Sequence, residues 1–268
     1  MPDLYATITD IDSEIQERLA DVLEMRAADP RQREMLHSYL SEIIFPPDAR
    51  VLEIGCGTGG VTRTLAQWLG VSEAVGVDPS AVFISKAKLL SEGISNVSFE
   101  EADGRSLEFD SDSFDVVVIH TTTCHVPEPE KLVTEAARVL RPGGWLAVFD
   151  GDYSTITVAT GDFDPLETCI DAFRDSYVHD PWLVRRLPQM LESTGLNIES
   201  IRSHGYVEAR EGGYMLTLVD RGVDVLLSAG RIGPDQAETL KAEAQRRSEA
   251  KEWFGHIAFA SVLGRKPA

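Results

Sequence analysis

The sequence predicts an α/β fold built on a doubly wound, mostly parallel sheet. Short apolar runs alternate with helical apolar spacing over roughly a hundred residues from Arg50, the pattern of consecutive βαβ units. One run, Val116-Val117-Val118-Ile119, is apolar throughout, as a strand covered on both faces requires. A glycine-rich loop, Glu53-Ile54-Gly55-Cys56-Gly57-Thr58-Gly59-Gly60, ends the first run and opens a helix.

Ahead of the alternation, Ile11, Ile15, Leu19, Val22 and Leu23 have helical spacing. Asp29-Pro30 reads as an N-cap followed by proline in the first turn. The next helix carries Met35, Leu36, Tyr39, Leu40, Ile43 and Ile44 on one face, and Pro46-Pro47 is expected to stop it. The alternation proper starts with a strand at 51–54, a helix at 61–69 with Leu65, Trp68 and Leu69 inward, and a strand at 74–77 ending at Asp78. A helix at 81–91, strands at 97–99 and 116–119, and a helix at 130–140 follow. The turn Arg141-Pro142-Gly143-Gly144 then leads into a strand at 145–149.

The last third changes character. Residues 183–193 look helical, and 196–209 read as a long strand alternating at Ile198, Ile201 and Val207. Tyr214 to Leu227 is an amphipathic helix, Gly233-Pro234 opens another to about Ala250, and 254–263 is strand-like. These spans divide the chain into an N-terminal helical cap segment at 1–47 and a core at 48–268. The core carries helical insertions at about 152–183 and 211–250.

Composition narrows the partners. The 268 residues suit one large domain, and 43% hydrophobic content supports a proper core. With 44 acidic against 25 basic residues the formal charge is −19. Such a surface repels phosphate backbones and anionic membranes, so neither nucleic acid nor membrane is an expected partner. Cys56, Cys124 and Cys169 are odd in number and widely spaced. That indicates reduced thiols and a cytoplasmic location, with neither a disulfide framework nor a metal site. Met1-Pro2-Asp3-Leu4-Tyr5 lacks the apolar core of a signal peptide. The N-terminal helices leave a face on which a homodimer could form.

The loop carries the chemistry. Glycines without Cβ let backbone approach a ligand, and the helix start offers unpaired N–H donors. Asp78 lies 19 residues past Gly59 at a strand end, where an acid accepts from ribose hydroxyls. Loop and acid together point to an adenosine-type cofactor. Gly55-x-Gly57-x-x-Gly60 fits the dinucleotide fingerprint, while Glu53 followed by Gly55-x-Gly57-x-Gly59 fits S-adenosylmethionine binding.

Further segments favour the second reading. Val51-Leu52-Glu53-Ile54-Gly55-Cys56-Gly57-Thr58-Gly59, Ala102-Asp103 followed by Phe114-Asp115-Val116-Val117, and Arg138-Val139-Leu140-Arg141-Pro142-Gly143-Gly144-Trp145-Leu146 occur in order. Together they resemble the class I S-adenosylmethionine-dependent methyltransferases. The likeness is to the small-molecule group of ubiquinone and menaquinone biosynthesis, and it covers about residues 48–150. The resemblance implies a Rossmann-like sheet of seven strands whose last two form an antiparallel hairpin. It also implies S-adenosylmethionine as cofactor.

Residue by residue, the resemblance runs Gly55, Cys56, Gly57 and Gly59 under the methionine and ribose parts. Glu53 helps fix the methionine amino end, and Asp78 beside Pro79 takes the ribose hydroxyls. Asp103, between Ala102 and Gly104, takes the adenine amino group. His120 lies near the sulfonium. Bland readings stand beside these. Glu53 could serve only helix N–H groups, Asp78 and Asp103 could be strand-end caps, and Cys56 reads as a loop filler.

The methyl acceptor has to surrender a proton, and histidine is the usual agent near neutral pH. His120 and His125 flank the expected site and are the candidate catalytic residues. His179, His204, Asp150 and Asp152 are remoter candidates. The capping segments bring Tyr5, Phe173, Tyr177, Trp182, Tyr214 and Met215, and in this family such segments usually cover the acceptor pocket. The expected acceptor is therefore a small apolar or aromatic molecule. A macromolecular acceptor is disfavoured by the acidity and the helical lid. The rival readings are an NAD-dependent oxidoreductase and a non-catalytic binding protein on the same fold.

Overall fold

A computed structural model describes residues 3–268, so Met1 and Pro2 of the expected cap segment lie outside the described residues. Its strands are β1 (Ala49–Ile54), β2 (Val71–Asp78), β3 (Val97–Glu101), β4 (Phe114–His120), β5 (Leu140–Thr157), β6 (Asn197–Arg210) and β7 (Trp253–Arg265). They form one sheet in the order β3-β2-β1-β4-β5-β7-β6. The pairs joining the first five strands are parallel, and β7 runs antiparallel between β5 and β6. The seven-stranded, doubly wound architecture and its closing hairpin are therefore as expected.

The helices are α1 (Ser13–Ala28), α2 (Pro30–Leu40), α3 (Gly60–Ala66), α4 (Ala81–Leu90), α5 (Pro129–Val139), α6 (Pro165–Tyr177), α7 (Leu187–Ser193), α8 (Tyr214–Ser228) and α9 (Pro234–Glu249). Asp29 caps α2 as expected, its carboxylate accepting from the backbone N–H groups of Arg31 and Gln32. Among the described residues, no helix is long and apolar enough to cross a membrane.

The sheet places the site. Val116, Val117, Val118 and Ile119 are fully buried, because β4 lies inside the sheet with helices on both faces. From β1 the chain builds outward to β2 and β3 on one side and to β4 and β5 on the other. The strand order thus reverses between β1 and β4. Beyond the carboxyl ends of those two strands a crevice opens, since the loops leaving them diverge to opposite faces.

Three local expectations fail for physical reasons. Helix α2 stops at Leu40 and not at the prolines. Glu42 and Ile43 donate three residues back in a tight turn, which buries Ile43 and leaves Ile44 73% exposed. Helix α3 ends at Ala66, so Leu69 falls in the turn before Gly70 and is exposed, not inward. On β6, Ile201 and Val207 point to solvent. A ladder shift between Ile198 and Ser200 accompanies this, and Tyr206 and Glu208 are the inward pair.

Candidate functional site

β1 delivers Glu53 and Ile54 to the mouth of the crevice, between Gly76–Val77 of β2 and Val118–Ile119 of β4. The chain then turns through Gly55, Gly57 and Gly59, all with left-handed φ. Asp78, at the end of β2, ties the loop down. Its Oδ2 accepts from the N–H of Gly57 and its Oδ1 from the N–H of Ser80, each at 2.9 Å. Glu53 is buried beneath the loop and accepts from the hydroxyl of Thr62 on α3. Helix α1 covers the other side. A Cβ on Gly60 would stand 2.7 Å from the Cβ of Ala27. The glycine that completes the dinucleotide fingerprint therefore serves close packing of α1 on the loop.

A cavity of about 190 Å³ fills the crevice. Its inner end is walled by Glu53, Gly55, Gly57, Asp78, Pro79 and Thr122. Its outer end is walled by Tyr5, His125, Tyr153, Phe173, Tyr214 and Arg221. His120, Thr121 and Arg26 also line the cavity. Thr121 holds a φ of 54°, a conformation that costs a β-branched residue on the order of 1 kcal/mol or more. The kink sets its hydroxyl to accept from Nη1 of Arg26 at 2.7 Å.

Electrostatics at the inner end are unbalanced. Burial pushes Glu53 up to about 8, against the opposing hydrogen bond from Thr62. Burial likewise raises Asp78 to about 6, although two backbone N–H groups favour its ionised form. The neighbouring Arg63 opposes the rise of Glu53 only weakly, its guanidinium being bonded to Glu24 and to the carbonyl of Thr58. Two carboxylates starved of positive charge suit a cationic guest.

The histidines differ in kind. Nδ1 of His125 meets Oδ2 of Asp3 at 2.9 Å. The Asp3 side chain is only 1% exposed, and it is held by the N–H groups of Tyr5 and His179. His120 pairs through Nδ1 with the hydroxyl of Tyr39 at 2.9 Å and stacks on Phe149, ring centroids 4.6 Å apart. Burial, then the charge of Arg26, depresses His120 well below the ordinary imidazole range. It is a neutral ring at physiological pH.

The cavity thus gathers Glu53, Gly55, Cys56, Gly57, Asp78, Pro79, His120 and His125. Gly59 sits directly behind it, in the loop. Ala102, Asp103 and Gly104 do not line it. Asp103 is half-exposed and clamped by Arg105 at 2.7–3.1 Å, which holds its carboxyl below the usual range. The remoter candidates are engaged elsewhere. Asp150 accepts from Thr123 and the N–H of Cys124, Asp152 pairs with Arg185, and His204 bonds Ser261. Of the expected lid residues, Tyr5, Phe173 and Tyr214 reach the cavity. Tyr177 stacks behind Phe173, Met215 is fully buried, and Trp182 lies over Arg185 instead.

Sequence reasoning missed Arg26, Tyr39, Arg221 and the role of Asp3. One signal was present. Arg26 continues the Leu19, Val22, Leu23 face of α1, and Arg221 sits on the Tyr214, Leu218 face of α8. A cation on an apolar helix face needs a local reason.

Residues 52–148 match the family model described as a methyltransferase domain. The chain is 32% identical over 159 residues to the ubiquinone/menaquinone biosynthesis C-methyltransferase of Pseudomonas paraeruginosa, covering 58% of this chain and 59% of that protein. It is 28% identical to a 37.1 kDa protein of a Streptomyces fradiae transposon, covering 84% of this chain and 64% of that one. The chain therefore spans less than two thirds of either relative's length. Among solved structures, the YcgJ protein of Bacillus subtilis superposes with a TM-score of 0.65 at 20% identity, over 88% of this chain and 99% of that one.

Proposed function

We propose that this chain is a class I S-adenosylmethionine-dependent methyltransferase, a reading supported by its methyltransferase-domain match at 52–148, and that it methylates a small organic molecule bound in the outer half of the cavity. The observation that carries this reading is the pair of charge-starved carboxylates, Glu53 and Asp78, on one cavity wall beside the glycine loop.

The residues present fit the cofactor. S-adenosylmethionine carries a sulfonium, an ammonium and one carboxylate, and when bound it supplies an electrophilic methyl group. Glu53 and Asp78 offer the negative charge its cationic half requires, with Asp78 also placed for ribose hydroxyls. Arg26 has a buried Nη2 without a hydrogen-bond partner, a ready donor for the one carboxylate. His120 stays uncharged and so does not repel a sulfonium. Asp103 joins the adenine end once it shares its carboxylate between Arg105 and the base.

His125 is the base in this reading. Asp3 accepts the Nδ1 proton, which leaves Nε2 as the lone-pair nitrogen and fixes the ring. Tyr5, Tyr153, Phe173 and Tyr214 supply an apolar aromatic wall that excludes water and aligns the acceptor. The buried thiols Cys56, Cys124 and Cys169 accord with a cytoplasmic setting.

Calorimetry with S-adenosylmethionine and with NAD tests the proposal. Heat is expected with the former alone, and Asp78→Ala should weaken binding by roughly a hundredfold through lost charge and loop anchoring. NAD binding without S-adenosylmethionine binding would overturn it.

A further inference from the structure

Arg221 is the one part of the outer cavity wall that an apolar acceptor does not explain. It reaches the wall from α8, where α8 crosses α6 at very close range. A Cβ on Gly222 would overlap the carbonyl oxygen of Cys169, so only glycine permits this approach. The crossing lays the Arg221 guanidinium over Phe173 at 4.8 Å and Tyr177 at 5.2 Å from their ring centroids. Its Nε donates to the carbonyl of Thr217 on its own helix at 3.3 Å. Its Nη2 is buried with no hydrogen-bond partner.

Leaving such a donor unsatisfied is costly, and leaving a guanidinium N–H so is costlier. Two guanidinium groups in one cavity share this condition, Arg26 and Arg221. The cofactor of the proposed function, on which this step rests, brings a single carboxylate. Arg26 stands between the two ends, its guanidinium 5.8 Å from the Tyr214 ring centroid, but it is the nearer of the two to the loop, bonded to Thr121 and adjacent to Ala27, which packs on Gly60. It takes that carboxylate, and Arg221 is left over.

We infer that the methyl acceptor itself carries a carboxylate on an apolar or aromatic body, and that Arg221 binds this carboxylate at the outer end of the cavity. The planar fork of a guanidinium, oriented by two aromatic rings, matches a planar carboxylate. A single guanidinium balances one negative charge, and a phosphate dianion would leave a surplus in a chain already at −19. The aromatic wall accounts for the rest of the acceptor. Long-range charge repels such a molecule, so its recognition has to be local.

The test is calorimetry on the full chain with S-adenosylhomocysteine bound. The probes are cinnamate, phenylacetate and octanoate, each against its neutral amide, with cinnamyl phosphate as a further arm. At least one acid should bind about tenfold or more tightly than its amide, the usual weight of a charge-assisted pair. Arg221→Met keeps the apolar stem and should bring that ratio to about one, with S-adenosylhomocysteine affinity intact. Arg221→Lys should restore part of the preference, which separates lost charge from misfolding. Equal binding of acid and amide in every pair, or a preference that survives Arg221→Met, would overturn the inference. So would binding of the phosphate alone. Repeating the titrations without S-adenosylhomocysteine separates the two readings. An acid preference in a protein that refuses S-adenosylhomocysteine supports the Arg221 site and overturns the cofactor reading only.

Discussion

Asp3 and His125 are 122 residues apart in sequence and 2.9 Å apart in space. The contact draws the chain's N-terminal segment over the cavity and fixes the ring of the histidine proposed as base. Asp3→Asn preserves shape and reverses the hydrogen-bond logic, because an amide can donate to Nδ1 and drive the proton to Nε2. The turnover number should fall by about a hundredfold, the usual weight of a general base, with the KM for S-adenosylmethionine little changed. His125→Ala should cost at least as much. A variant pair with undiminished turnover would remove His125 from the reaction.

Protonation of the inner carboxylates sets a second expectation. Asp78 moves from an ordinary 3.8 to about 6, and Glu53 from 4.5 to about 8. Folded-state values above the unfolded ones mean that the native protein binds more protons within those windows. Stability of the ligand-free protein should therefore fall as pH rises from about 4 toward 8. A cationic ligand favours the ionised carboxylates, so its binding should release protons and tighten between pH 5.5 and 7.5. Thermal denaturation across pH, and calorimetry in buffers of different ionisation enthalpy, check both signs.

Gly222→Ala probes the α6–α8 crossing. The added methyl has no room against Cys169, so the helices must part. The cost should be about 1–3 kcal/mol, as for other overpacked contacts. Denaturant unfolding measures it, and the acid preference assigned to Arg221 should weaken in the same variant.

Glu208 is a buried carboxylate with no catalytic task. It accepts from the hydroxyl of Tyr206 at 2.8 Å, the N–H groups of Gly213 and Met215 at 3.0 and 3.1 Å, and Nε1 of Trp253 at 3.2 Å. It thereby ties β6 to β7 and to the start of α8. Glu208→Ala strands three donors, since the Tyr206 hydroxyl can still donate to Asp29, and should destabilise the fold by about 3 kcal/mol or more. S-adenosylmethionine affinity, measured well below the melting temperature, should stay near wild type.

Most of the architecture was legible because period and burial agree. Val116–Ile119 could only be an interior strand, and the glycines with Asp78 point by spacing to an adenosine-type site, although the loop by itself fits two cofactors. Failures occurred where tertiary packing overrode a local pattern. Ile44 and Leu69 continue a helical period past the point where turns end the helix. Ile201 and Val207 look like core residues, but on the edge strand β6 they share the face turned to solvent while Tyr206 and Glu208 take the inward one. The outer site was the least legible part. Arg26 and Arg221 come from two segments that no motif joins, and only the folded chain shows that they line one cavity, with Asp3 held against His125 of its wall. Asp103 illustrates the converse. Its spacing marks it for the cofactor, while a neighbour two residues away, Arg105, already occupies its carboxylate.

A crystal structure with S-adenosylhomocysteine tests the central claim most directly. The ligand should lie along Gly55 and Gly57, with its ribose at Asp78, its amino end near Glu53 and its carboxylate on Arg26, and with His125 facing an open outer pocket. A ligand bound elsewhere, or one whose carboxylate takes Arg221 while Arg26 stays unpartnered, would contradict the account.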